Sequence, residues 1–238
     1  MNATLTTLEP ALPEARTLLE RASTLARPDL LRDAADRLAR LVEADPGSVW
    51  ARYHLGYAHY RMASLQQKEK KAAVAHLATA VEHLRAAAQL DPNNAEARAL
   101  LSTCYGMQIR YAPLKAPWLG ERKTRAMAEA LHLEPENPRV MLLRALQYWS
   151  TPGYAGGDKE AALDGFHRAV ECFEVWEPAD PLGPVWGHPQ ALAYLGMAYL
   201  HRRDEERARD ALAAALRIAP DYHWVKHVLL PQLGIVTP

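Results

Sequence analysis

Four times along this chain a helix-forming run stops at an acidic or small residue followed by proline: Ala44-Asp45-Pro46, Leu90-Asp91-Pro92, Leu133-Glu134-Pro135 and Ile218-Ala219-Pro220. Proline has no N–H to donate and disfavours helix at the residue before it, so each stop is built into the covalent chain. The run before each stop carries small and large apolar residues in one register: Ala34, Leu38 and Leu41; Ala80, Leu84 and Ala87; Met127 and Ala130; Ala208, Leu212 and Ala215. A second phrase precedes them, as Leu55-Gly56 with His59, as Leu101-Ser102 with Tyr105, and as Leu192-x2-Leu195-Gly196-x2-Tyr199. Ala145 and Tyr148, followed by Ala162, Phe166 and Ala169, make one further copy. Unrelated helices have no reason to share a register, so the chain reads as serial helix pairs that touch through small residues.

In these residues the chain resembles the tetratricopeptide (TPR) family, whose unit of about 34 residues is a helix-turn-helix. The copy at 189–222 is the fullest. The resemblance implies an all-α fold, a right-handed superhelical solenoid of antiparallel helix pairs with a C-terminal capping helix. Repeats are expected near 15–48, 49–94, 95–137, 138–176 and 189–222, with a cap over 221–238. Residues 1–11 read as a flexible N-terminus ahead of a single domain over 12–238. Four places depart from the family pattern: Arg52 and Arg98 stand where a large apolar residue is usual, and Ser102 and Ala145 where glycine is.

The prolines at 46, 92, 135 and 220 lie 46, 43 and 85 residues apart, so the inner repeats exceed the family length. The excess falls at 64–71, 109–121, 150–158 and 175–189, where a helical array carries loops on one face. Punctuation and periodicity predict helices over 12–26, 28–44, 48–64, 69–90, 94–109, 121–133, 137–149, 158–174, 188–202, 204–218 and 221–230. Asp158, after Gly156-Gly157, and Asp204 are expected as helix N-caps.

With 28 Lys and Arg against 28 Asp and Glu, the formal charge is zero, and no basic run supports nucleic-acid or membrane-surface binding. The uncharged stretches are too short for a bilayer, so no membrane insertion is expected. The N-terminus lacks the features of an export signal, which points to a cytoplasmic protein. Cys104 and Cys172 cannot build a disulfide framework and read as two small buried thiols.

In TPR proteins the first helix of each unit lines the concave surface. Carried onto this chain, that position falls on Trp50, Tyr53, Tyr57, Tyr60 and Arg61 of the second unit, Arg110 beyond the third, and Arg139 and Trp149 of the fourth. Aromatic faces and forked guanidinium donors suit a bound peptide. The same spacing also describes any buried helix face, and the two readings stand side by side. Trp118, Tyr154 and Trp186 sit in the inserts among turn formers, as a lid over one end of the groove or as mutual packing.

His223 and His227, four apart, have chelating spacing, but no third ligand lies nearby in sequence. His54 and His59 point to different faces, and His76 and His83 are two turns apart. No metal and no cofactor is expected. Nucleophile elbows, phosphate loops and zinc-protease motifs are all missing, so no enzyme is expected either. Two function classes remain: a non-catalytic module binding a peptide or protein segment in its groove, as adaptor or scaffold, and a binding protein for an organic-acid-like small molecule whose groove the inserts close. A homo-oligomer along an open edge is compatible with both.

Overall fold

The computed structural model describes residues 11–178 and 180–235. Among them the regular structure is helical: α1 (Ala11–Thr24), α2 (Pro28–Ala44), α3 (Val49–Leu65), α4 (Lys70–Leu90), α5 (Ala95–Tyr111), α6 (Ala116–Leu133), α7 (Pro138–Ser150), α8 (Lys159–Val175), α9 (His188–His201) and α10 (Glu205–Ile218). A π-helical stretch, Val225–Leu229, and a 3-10 turn, Leu230–Leu233, follow. The expected flexible segment lies outside the described residues up to residue 10, as does the end of the expected cap beyond 235.

The four prolines do more than stop helices. In each case the residue three places after the acidic or small one donates its N–H back to it: Ser48 to Asp45, Asn94 to Asp91, Asn137 to Glu134 and Tyr222 to Ala219, at 3.0–3.2 Å. In the first three turns that residue is also the next N-cap. Ser48 accepts from Ala51 N–H, Asn94 from Ala97 N–H, and Asn137 from Arg139 and Val140 N–H. One tetrapeptide thus ends one helix and starts the next. Asp158 caps α8 through the N–H groups of Glu160 and Ala161, and Asp204 caps α10 through Arg207 N–H.

Two compact units result. The first comprises Met1–Ser23, Arg27–Leu133 and Pro178–Pro184; the second comprises Thr24–Ala26, Glu134–Glu177 and Val185–Pro238. In the first, α3 packs on α4 and α5 on α6, with α4 on α5 joining the pairs. In the second, α7 packs on α8 and α9 on α10, with α8 on α9 between.

The small residues set the closeness of each pair. A Cβ on Gly56 would lie 2.6 Å from Leu84 Cγ, and one on Gly196 would lie 2.6 Å from Leu212 Cδ2. Where α7 has Ala145 in place of glycine, the facing residue of α8 is Gly165, whose added Cβ would come within 2.8 Å of Ala145 Cβ. The small side of the contact has changed helix. Ser102 keeps its helix pair close differently, donating its hydroxyl to Lys123 O of α6 at 2.6 Å. Arg52 and Arg98 turn their guanidinium groups onto the proline turns, to Pro46 O and Pro92 O at 2.8 Å, and Arg98 also pairs with Glu129. Their stems cover apolar surface while the charge satisfies a turn carbonyl.

The region 109–121 differs from the loop expected. After a 3-10 turn at Pro113–Lys115, α6 begins at Ala116, because Pro117 within the first helical turn forfeits no hydrogen bond. Trp118, Leu119 and Gly120 are therefore helical. At the other end, Tyr222, Val225, Leu229 and Leu230 close over Leu192, Ala193, Leu212 and Ala215. That segment covers the open face of the last helix pair, as a π-helical turn rather than the expected α-helix.

Candidate functional site

In the first unit Trp50, Tyr53 and His54 form a cluster on α3, with Trp50 and Tyr53 edge to face at 5.6 Å between ring centroids. Tyr53 and Tyr57 are buried in the helix packing, at 0% and 1% exposure. Tyr57 stacks on Tyr60 at 6.1 Å. Arg61 donates to Ser23 O at 3.2 Å, and Arg110 to Gln67 Oε1 at 2.8 Å. Trp118 is half exposed on α6 beneath the Arg122 guanidinium, 3.6 Å from the ring centre.

The chain itself occupies the face around Trp50. The segment 180–184 returns to the first unit and is held there as a turn, with Gly183 N–H donating to Asp180 O at 3.0 Å and Leu182 N–H to the Asp180 carboxylate at 2.8 Å. Trp50 Nε1 donates to the Asp180 carboxylate at 2.7 Å, and Arg16 of α1 donates to Pro181 O and Gly183 O at 2.6 and 2.7 Å. His54 Nε2 lies 2.9 Å from Leu182 O, which fixes that nitrogen as the protonated one. Gly183 passes close to the Trp50 ring, its added Cβ meeting the indole at 3.6 Å. Arg16 Nε is buried with no hydrogen-bond partner. Arg16 stands at the first concave-face position that the resemblance to TPR proteins gives the first unit, whereas His54 is not among the carried-over positions, and nothing local marks a segment that returns from so far along the chain.

In the second unit Arg139 is 3% exposed. It donates from Nε to Trp186 O at 2.6 Å, with the rings of Phe173 and Trp186 at 5.6 and 5.9 Å from its guanidinium carbon. Trp186 is buried, and Gly187 holds a φ of +124° where an added Cβ would strike Phe173 at 2.3 Å. Trp149 is partly buried between Phe166 and His201, with the Lys159 ammonium 3.8 Å above its ring. Tyr154 is 95% exposed in a 3-10 turn. Each expected arginine thus has an acceptor within its own unit.

Across the helix pair α3–α4, His59 Nδ1 and His76 Nδ1 stand 3.0 Å apart. Burial, with the nearby His76 and His83, pushes the His59 ring down to about 4 from 6.5, and burial also lowers His76 and His83. The unfolded chain therefore takes up a proton before the folded one. The neutral ring's stability is intact above pH 6.5 and is lost as pH falls through about 4. After discounting for solvent screening, that difference should come to roughly 2 kcal/mol between wild type and His59→Gln, read from urea unfolding across this pH range. A parallel pH dependence in the two proteins would contradict it.

Cys104 is buried and Cys172 partly so; both are free thiols, and burial raises each. No helix among the described residues is long and apolar enough to cross a membrane.

No family model and no curated protein matches the chain. Solved structures are. The chain is 25% identical to the HusA haemophore from Porphyromonas gingivalis, with 78% of this chain and 92% of that one covered and a TM-score of 0.61. It is 18% identical to a thermophilic TPR protein from Thermus thermophilus, with 94% and 100% covered and a TM-score of 0.61. Taken with the proline-stopped repeats and the glycine contacts at 56 and 196, this likeness identifies the fold as that of the tetratricopeptide helical-repeat proteins.

Proposed function

We propose that the protein is a non-catalytic TPR-type interaction module. On this reading it binds a turn-forming peptide or protein segment on the face of its first unit around Trp50, His54 and Arg16, with Tyr53, Tyr57, Tyr60 and Arg61 behind it. The observation that carries the reading is the seating of Asp180–Pro184, whose backbone carbonyls and one carboxylate are recognised by three side chains. Four hydrogen bonds, two of them from a charged donor, contribute about 1–3 kcal/mol each. Ordering five residues costs about 1–2 kcal/mol each. The segment is therefore held by a narrow margin, one that a competing chain of the same chemistry can match. The preferred partner carries an acidic residue followed by proline and a large apolar residue, as Asp180-Pro181-Leu182 does. Arg16 Nε remains as a further donor.

The likeness to a haemophore supports a second reading, a binding protein for a flat organic acid. Both are decided by one set of titrations. A fluorescent peptide of sequence Ala-Asp-Pro-Leu-Gly-Pro is added to a variant carrying Asp180→Lys and Leu182→Gly, which frees the face. Saturable binding is expected, with loss on adding Arg16→Gln and weaker binding to wild type. Native helical content without peptide binding would overturn the peptide reading, and a saturable spectral change with haemin in its place would establish the second.

A further inference from the structure

We infer that His59 and His76 form a two-histidine chelate for a divalent transition-metal ion, zinc or copper, clamped across the helix pair α3–α4 of the first unit. The separation of the two nitrogens is one that a single ion can bridge. Two nitrogens each about 2.0–2.1 Å from zinc lie about 2.9–3.4 Å from one another, for ligand angles from square to tetrahedral. His59 Nδ1 and His76 Nδ1 are 3.0 Å apart, with ring planes inclined at 46° and centroids 5.2 Å apart. Each nitrogen is carried by a different helix of the same tightly packed pair, so the chelate is preorganised by the fold and is absent from the unfolded chain.

The donor set selects the ion. Imidazole nitrogens suit zinc, copper and nickel, whereas magnesium and calcium require oxygen ligands. Both rings are only partly buried, which leaves one side open to water for the remaining coordination positions. Among the described residues no third His, Cys, Asp or Glu joins them in a metal-holding group, so water completes the shell. Two turns along α4, His83 Nδ1 is buried with no hydrogen-bond partner, close enough to influence His59. Since the spacings within α3 and within α4 do not chelate, this pairing is visible only once the two helices are packed. The site lies on a different face of α3 from His54, which binds Leu182 O, and is independent of the peptide reading.

The decisive experiment uses tag-free protein in which His223→Gln and His227→Gln remove the exposed pair, whose rings lie 4.6 Å apart on the C-terminal segment. Zinc and copper(II) are titrated calorimetrically into this background and into versions that also carry His59→Gln or His76→Gln. One equivalent is expected to bind the background protein, and each further substitution should weaken binding by on the order of tenfold or more, the scale on which metal sites respond even to loss of a supporting contact. Zinc should also raise the melting temperature of the background protein and leave that of the His59→Gln version unchanged. X-ray absorption of the zinc-loaded background protein provides a measure that needs no substitution at the site, and should count two imidazole ligands. No binding to the background protein, undiminished binding after His59→Gln, or fewer than two imidazoles would each overturn the assignment and leave the contact as an N–H···N hydrogen bond.

Discussion

Tyr57→Ala is expected to lower the unfolding free energy by about 3–5 kcal/mol, the range for truncating a buried aromatic. The ring is 1% exposed and stacks on Tyr60, so its removal leaves a void that packed helices close only in part. Urea unfolding monitored by helical signal should show a lower midpoint with an unchanged slope. Trp50→Phe makes the informative comparison. It keeps an aromatic ring in place while removing the N–H that Asp180 accepts and part of the indole face, so it should alter peptide competition more than stability. If Tyr57→Ala left the midpoint where it was, the ring would be a groove wall and the packing described for α3 would be wrong.

Gly196→Val should be at least as damaging, at about 3 kcal/mol or more, since overpacking a tight helix contact forces side chains off their rotamers. The new Cβ would meet Leu212 Cδ2 at 2.6 Å and Cγ at 2.7 Å, with Ala208 O behind them at 3.4 Å. The leucine can be removed but the carbonyl cannot. Leu212→Ala alone also destabilises, by about 2–5 kcal/mol, through the cavity it leaves. Together the two changes should cost less than the sum of the two alone, with a coupling of about 1–3 kcal/mol in a double-mutant cycle. Strict additivity would mean that Gly196 is not held against Leu212.

The repeat architecture was legible in the sequence because its causes are local. Proline at 46, 92, 135 and 220 ends the helix that precedes it, and Gly56 or Gly196 three residues before a His or Tyr implies a close partner. Even the departures preserved function by local means, as Ser102 and the exchange of Ala145 with Gly165 illustrate. The candidate site was less legible for a physical reason. A helix face repeating every three or four residues is equally suited to a groove and to a core, and for Tyr53 and Tyr57 burial now stands on the side of core. Trp118 stands among turn formers in an insert and so reads as loop, whereas Pro117, in the first turn of α6, does not interrupt that helix. The family register reaches Arg16 but not His54, and it reveals the partner of neither, because those partners are 165 and 128 residues away, beyond the reach of any periodicity.

That separation has a consequence during synthesis. Trp50 and Asp180 are 130 residues apart, so at about 5–20 residues per second Trp50 emerges from the ribosome roughly 7–26 s before the segment that will cover it, and the first unit's last helix, which ends at Leu133, roughly 2–9 s before. Helix pairs form on far shorter timescales. The nascent protein therefore displays an uncovered, fully formed Trp50 face for seconds, and any partner that recognises it has its best access before translation ends.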